Sequence, residues 1–318
     1  MRTFHHLHDV PSDFGPTVVS VGNFDGVHRA HRHVIDKIVQ RAKAANARSV
    51  VVTFEPHPTR ILLPDHNLKL LTALPEKLQL LESTGVDAVW LLPFSRDLSL
   101  MTPHEFAHDI LKERLHASEI HEGYNFHFGH KAAGNIQRLR ELGQEMGFEV
   151  HDYPEMRLRG ENVSSSHIRK LLAAGQVSRA RHLLARPFSI LSTPGRGRGY
   201  GSKYTVPTIN LARYEELVPK DGVYITRTRV GGECFDSVTN VGNRPTFGAD
   251  SFAIESHLLN FHPLELSPET EVEVYFLERL RDEIKFPSVD ALKDQIGRDV
   301  GKAHKYLRRL GGARVAAE

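Results

Sequence analysis

The sequence predicts a two-domain protein: an α/β half on a parallel sheet with helices on both faces, then an antiparallel β-barrel with a C-terminal helix. Three observations carry that expectation. In residues 1–185 apolar runs alternate between strand-like and helix-like periods, the pattern of parallel strands crossed by helices. In residues 186–318 strand-like segments follow one another across turns, with no helix until the end. The length, 318 residues, suits two domains of about 150 residues each.

Taken in order, residues 17–21 read as a buried strand, and Val34, Ile35, Ile38, Val39 and Ala42 mark one face of a helix. Residues 49–54 form a second strand, and Leu78, Leu80 and Leu81 belong to a short helix ending near Gly85. A third strand spans 88–93, then Phe106, Ile110 and Leu111 mark a helix. Residues 119–122 and 149–153 are strands on either side of a helix carrying Ile136, Leu139, Leu142 and Met146. Two short helices, 166–174 and 177–184, close this half, with Gly175 placed to stop the first. After Arg186-Pro187 the strands are 188–192, 208–211, 223–230, 234–241, 252–259 and 271–280. Turn signals separate them at Lys220-Asp221-Gly222, Gly231-Gly232 and Gly248-Ala249-Asp250. A last helix over 289–310 carries Leu292, Ile296, Val300 and Leu307, and a frayed tail follows Gly311.

Composition narrows the function classes. Hydrophobic residues make up 40% of the chain, and no apolar run approaches the ~18 residues that span a bilayer. The N-terminus has no apolar secretory core. The single cysteine, Cys234, rules out an internal disulfide and a CxxC zinc site. These features lead us to expect a cytoplasmic protein with no membrane partner. A net charge of +2 is too small to argue for nucleic acid, and suits an enzyme handling phosphates.

Chemistry concentrates first at residues 21–31, VGNFDGVHRAH, where the first strand runs into the first helix. Open α/β sheets bind ligands at such junctions, and helix N-termini favour anions. His28 and His31, three apart, can face one side of a helical turn and donate to phosphate oxygens. They can equally be two surface histidines in a glycine-rich turn. Later, Ser164-Ser165-Ser166-His167-Ile168-Arg169 opens a helix. Its serines can simply cap the helix. Its hydroxyls and Arg169 can also hold phosphates.

Together these motifs resemble the nucleotidylyltransferase module of bacterial FAD synthetases, with a Rossmann-like parallel sheet. Glu55-Pro56-His57-Pro58 and 123–129, GYNFHFG, resemble further signatures of that family in the family's order. The resemblance implies that His28 and His31 bind ATP phosphates, in a nucleotide pocket with Gly22, Asn23 and Asp25. It implies that Ser164, Ser165 and Arg169 stabilise departing pyrophosphate. It places Asn125 in the nucleotide or flavin site. No nucleophilic side chain is needed, because the FMN phosphate itself attacks the α-phosphorus of ATP, so catalysis is positioning and charge stabilisation. Two positions depart from the family. Ala30 stands where it has glycine, and Ser166 where it has threonine. A methyl at Ala30 is expected to crowd a close backbone approach to phosphate.

The second half carries residues 195–210, GRGRGYGSKYTVPTIN, which match neither the P-loop nor the dinucleotide fingerprint. A glycine-rich loop can still cradle phosphate with its N–H groups. Thr208 and Asn210, two apart on a strand, share one face and offer oxygens suited to Mg²⁺. VPTIN resembles the PTxN motif of riboflavin kinases. So do, in order, Gly222-Val223-Tyr224, NVGNRPTF at 240–247, IESHLLNF at 254–261, and RLRDE at 279–283 with Phe286.

From about Val18 to Leu307 the chain therefore resembles the bifunctional riboflavin kinase/FMN adenylyltransferases. The resemblance implies ATP as co-substrate, Mg²⁺, and riboflavin, FMN and FAD as substrates and products. It implies that Glu255 is the general base for the ribityl hydroxyl, and that Thr208 and Asn210 hold Mg²⁺. Gly199, Gly201 and Lys203 would hold the nucleotide. Lys203 stands near the family's usual arginine, and Asn260 where it often has aspartate. Two other readings stay open here. Ala30 favours a kinase with a weakened adenylylation site, and the Arg196–Arg198 glycine segment resembles a short RNA-binding stretch.

Overall fold

The computed structural model describes residues 1–6, 9–11, 13–195, 208–243, 252–262, 264 and 266–310. Packing divides the chain into two compact units: Met1–Leu70 with Leu74–Ser164, and Leu71–Ala73 with Ser165–Glu318.

The first unit contains β1 (Arg2–Phe4), β2 (Thr17–Val21), α1 (Arg29–Ala44), β3 (Arg48–Glu55), α2 (Leu74–Glu82) and β4 (Ala88–Pro93). It continues with α3 (Phe106–Arg114, π-helical), β5 (Ala117–Gly123), α4 (Ile136–Met146) and β6 (Glu149–Tyr153). The strands lie in the order β1-β4-β3-β2-β5-β6, and every described pairing is parallel. Strand residues alternate between two cores, as the period of two demands. Val19, Val21, Val50, Val52, Trp90 and Leu92 pack with Ile110, Leu111, Leu139 and Leu142. Val18, Val51, Val89 and Leu91 pack with Ile35, Ile38 and Leu81. Burial on both faces explains why these strands read as unbroken apolar runs. From β2 the chain steps one way to β3 and β4, then returns to place β5 and β6 on the other side. Strand order therefore reverses between β2 and β5, the point where open sheets part to admit a ligand.

The second unit holds α5 (Ser165–Ala173), α6 (Val177–Leu184), β7 (Phe188–Ser192), β8 (Thr208–Asn210), β9 (Gly222–Val230), β10 (Glu233–Asn243), β11 (Phe252–Leu258), β12 (Val272–Arg281) and α7 (Val289–Arg309). Its sheet runs β7-β12-β9-β10-β11-β8, antiparallel throughout the described pairings. The two ends meet at a seam. Pro194 bridges Leu211, Gly195 N–H donates to the Asn210 carbonyl at 2.8 Å, and Ala212 N–H to the Thr193 carbonyl at 2.8 Å. Val223, Ile225, Val238 and Leu277 on the outer face pack under Ala303 and Leu307 of α7.

Sequence reasoning set a boundary at 185/186, whereas the packing divides after Ser164. The difference is α5 and α6, expected to close the first half. α6 packs on β7 and β12, and Lys220 N–H donates to the Leu172 carbonyl of α5 at 3.0 Å. α5 ends as Gly175 predicted. Gly175 adopts φ +75°, and the N–H groups of Gly175 and Gln176 return to the carbonyls of Leu172 and Leu171 at 2.9 and 2.8 Å. None of the described helices is long and apolar enough to cross a membrane.

Inside the barrel five hydroxyls, all fully buried, bond one another in a closed ring. Thr226 meets Ser237 (2.8 Å), Ser237 meets Thr228 (2.8 Å), and Thr228 meets Ser256 (2.6 Å). Ser256 meets Thr239 (3.0 Å), and Thr239 returns to Thr226 (2.7 Å). Each hydroxyl has one donor, so a ring lets each give one bond and accept one. Thr226→Val keeps the shape and leaves Ser237 and Thr239 each one hydrogen bond short. We expect a loss of about 1–3 kcal/mol in stability, read as a lower urea midpoint at unchanged denaturant dependence.

Candidate active sites

In the first unit the loop after β2 is held in an unusual backbone. Phe24 (φ +46°), Gly26 (φ +80°) and Val27 (φ +36°) all adopt positive φ. Such values are uncommon for any side chain and an outlier for β-branched valine, so the surrounding structure must impose them. The turn closes with Val27 N–H donating to the Phe24 carbonyl at 3.1 Å. The loop is anchored from three sides. Gly22 N–H donates to the Val52 carbonyl of β3 at 2.9 Å. The Asn23 carbonyl accepts from Thr53 Oγ1 at 3.1 Å and from Lys77 Nζ at 3.3 Å. Val21 N–H, on the side facing β5, finds a side chain rather than a backbone carbonyl: Glu122 Oε1 at 2.5 Å. That substitution is how β2 and β5 diverge at the switch point. Burial pushes the Glu122 carboxyl well above its usual range.

His28 is buried and caps α1, its Nδ1 accepting the His31 N–H at 3.4 Å. The cap uses Nδ1, so the His28 ring faces the helix start through that nitrogen. The His31 ring stacks on that of His28 at 3.6 Å between centroids, with the Phe24 ring edge-on at 5.1 Å. His31 Nδ1 is buried and has no hydrogen-bond partner among the described residues. Burial, then the His28 and Lys77 charges, hold His31 well below the usual imidazole range. Here is a helix start with a buried capping imidazole, a second imidazole whose Nδ1 has no hydrogen-bond partner among the described residues, and a buried lysine, an arrangement that asks for an anion.

Lys77 and Glu122 were missed in the sequence. Burial lowers the Lys77 ammonium, while Glu55 and Asp25 raise it. Its signal was its place: Leu74, Lys77, Leu78 and Leu81 form one helical stripe, so the lysine stands where a core residue belongs. Asp25 is buried, and Asn23 is exposed at the loop tip. Across the switch point, Asn125 lies exposed in the loop after β5. There Phe126 N–H closes a turn onto the Gly123 carbonyl at 2.9 Å, and the Asn125 carbonyl contacts His127 Nδ1 at 2.8 Å. Ser164 ends the first unit, and Ser165 and Arg169 belong to α5 of the second.

Ala30 occupies the second position of α1 and is not among the residues with positive φ. Its backbone conformation therefore does not require glycine; the crowding expected from the motif concerns the methyl against a phosphate, a separate matter from φ. Ala30→Gly is expected to leave FAD formation within about threefold of wild type and to cost about 0.5–1 kcal/mol of stability. Single-turnover flavin assays and a denaturant midpoint check both.

In the second unit the register lines up polar residues. Asn210 of β8 pairs with Glu255 of β11, which pairs with Asn240 of β10, which pairs with Val223 of β9. Directly opposite residues share a face, so Asn210, Glu255 and Asn240 form one lateral row. Thr208 and His257, also paired, sit one step along the same face. Burial lowers the His257 imidazole. Asn240 Nδ2 donates to Glu283 Oε1 at 3.1 Å. Gly242 admits that carboxylate, since a Cβ there would collide with it. Asn240 and Glu283 lie in motifs quoted from the sequence, though neither was singled out there. Gly199, Gly201 and Lys203 lie outside the described residues.

A strained, anion-ready helix start at the switch point of a parallel sheet, with a carboxylate–amide row in a barrel, defines a two-part phosphate-handling transferase. Family comparison agrees. Residues 10–167 match the FAD synthetase family and residues 184–307 the riboflavin kinase family. A bifunctional riboflavin kinase/FMN adenylyltransferase from Pseudomonas fluorescens is 34% identical, covering 95% of this chain and 97% of that protein. One from Buchnera aphidicola subsp. Schizaphis graminum is 31% identical over 98% and 99%. A crystal structure described as a macrolide-efflux protein from Streptococcus pneumoniae superposes with TM-score 0.86 at 27% identity, covering 96% and 99%. The chain belongs to the bifunctional riboflavin kinase/FMN adenylyltransferase family.

Proposed function

We propose that the second unit phosphorylates riboflavin with ATP to FMN, and that the first adenylylates FMN with a second ATP to FAD and pyrophosphate. The observation that carries this is the coincidence of each candidate site with its own family match.

In the kinase step Glu255 takes the proton of the ribityl 5′-hydroxyl as its oxygen bonds the γ-phosphorus and ADP leaves. Asn240, beside it and tied to Glu283, orients the row. Asn210 and Thr208 offer amide and hydroxyl oxygens on one face, hard donors that fit Mg²⁺. Mg²⁺, when bound, neutralises phosphate charge. In the adenylyl step a phosphate oxygen of FMN bonds the α-phosphorus and pyrophosphate leaves. His28 and His31, at the helix start, hold the triphosphate charge. For Ser164, Ser165 and Arg169 the role on departing pyrophosphate rests on the resemblance of their motif.

The test is product analysis. Purified protein is incubated with riboflavin, ATP and Mg²⁺, and flavins are separated over time. FMN followed by FAD is the expected course. FMN that never proceeds to FAD would remove the adenylyl assignment, and no new flavin would remove both.

A further inference from the structure

Besides the residues of the two candidate sites, β5 and β6 bring three metal-binding side chains to one spot. Glu119 and His121 are two apart on β5 and share a face, and His151 of β6 is the register partner of His121. Glu119 Oε2 lies 3.1 Å from His121 Nε2 and 3.7 Å from His151 Nε2, and all three ligand atoms fall within 4.8 Å of one another. Ligands at about 2.0–2.1 Å around a tetrahedral zinc ion stand about 3.3 Å apart, so the spacing suits that geometry.

The surroundings fit as well. His121 Nδ1 is engaged by the Tyr153 hydroxyl at 2.7 Å, leaving Nε2 toward the carboxylate. A second partner of this kind, holding the far nitrogen of a ligating histidine, is usual at metal centres. His151 Nε2 is buried and has no hydrogen-bond partner among the described residues. Glu149 Oε2 stands 3.4 Å from it on an exposed side chain, within reach of a further coordination position. Arg41 opposes the ion. Its guanidinium holds both oxygens of Glu119, at 2.7 and 2.9 Å, from a half-exposed position.

We propose that Glu119, His121 and His151 bind one divalent transition-metal ion of the zinc type, in competition with Arg41. Two imidazoles and a carboxylate are zinc's ordinary ligands, and magnesium would not choose imidazole. Bound there, the ion fastens edge strand β6 to β5 just before the loop that carries Asn125.

The full chain, stripped with chelator, is titrated with zinc chloride by calorimetry, and with cobalt(II) while visible absorption is followed. One site is expected, with the intense absorption of tetrahedral cobalt. His151→Ala, at a half-exposed position, should weaken it by at least ~100-fold, and Tyr153→Phe by about 10-fold. Arg41→Gln should tighten it, which loss of a purely structural ion pair would not do. FMN adenylylation by the metal-free His151→Ala variant, unchanged, reports an intact fold. Equal zinc affinity in wild type and His151→Ala, or no zinc binding to wild type, overturns the assignment.

Discussion

Replacing Glu255 by glutamine lowers FMN formation from riboflavin by about 10²–10⁴-fold, the range a general base supplies. Glutamine keeps the length and the hydrogen-bonding oxygen, and Glu255 is only half-buried, so folding should survive. The variant must also adenylylate supplied FMN at the wild-type rate, because Glu255 takes no part in that step. If Glu255→Gln kept a tenth or more of the kinase rate, the hydroxyl proton would have to leave by another route. Asn240→Ala probes the same row through KM and kcat. A positioning residue lowers kcat by less than loss of the base does.

His28→Ala is expected to lower FAD formation from FMN and ATP by about 10²–10³-fold, the cost of one pre-set donor to developing charge. Riboflavin phosphorylation should be unchanged. The side chain has two jobs, since its Nδ1 caps α1. Loss of the cap alone costs about 0.5–2 kcal/mol of stability. His28→Ser separates the two, because serine restores the cap and offers no imidazole donor. Stability that returns with serine while the rate stays low identifies the ring as a phosphate ligand. A rate that returns with the cap would make His28 a structural residue. Removing His31 as well should add little, because the stacked rings act as one unit.

Much of this was readable in the residues. Val18–Val21, Val50–Val52 and Ala88–Leu92 announce a sheet buried on both faces, and Gly175 announces its helix end. His28, His31 and Glu255 stand out because imidazoles at a strand-to-helix junction and a carboxylate within a strand motif are chemically pointed. What stayed hidden depends on long-range packing. β1 is three residues long and exists because it pairs with β4. Lys77 looks like any helical lysine until α2 turns it inward onto Asn23 and Thr53. Glu119, His121 and His151 look like scattered polar residues until β5 and β6 align. The packing of α5 and α6 stayed hidden for the same reason: two amphipathic helices between domains carry no mark of which core they pack on.

The hydroxyl ring has a consequence for catalysis that stability alone does not express. Apolar barrel residues tolerate sliding, since one methyl packs much like the next, whereas a one-residue slip turns every side chain to the opposite face. A closed circuit of five hydroxyls across β9, β10 and β11 has one alignment in which all are satisfied. It counts residues the way a key counts pins. Ser256 sits in that circuit, and Glu255, its neighbour in the chain, faces the other way. The interior of the barrel thus dictates which residue of β11 stands beside Asn210 and Asn240, and so keeps the carboxylate in line from behind.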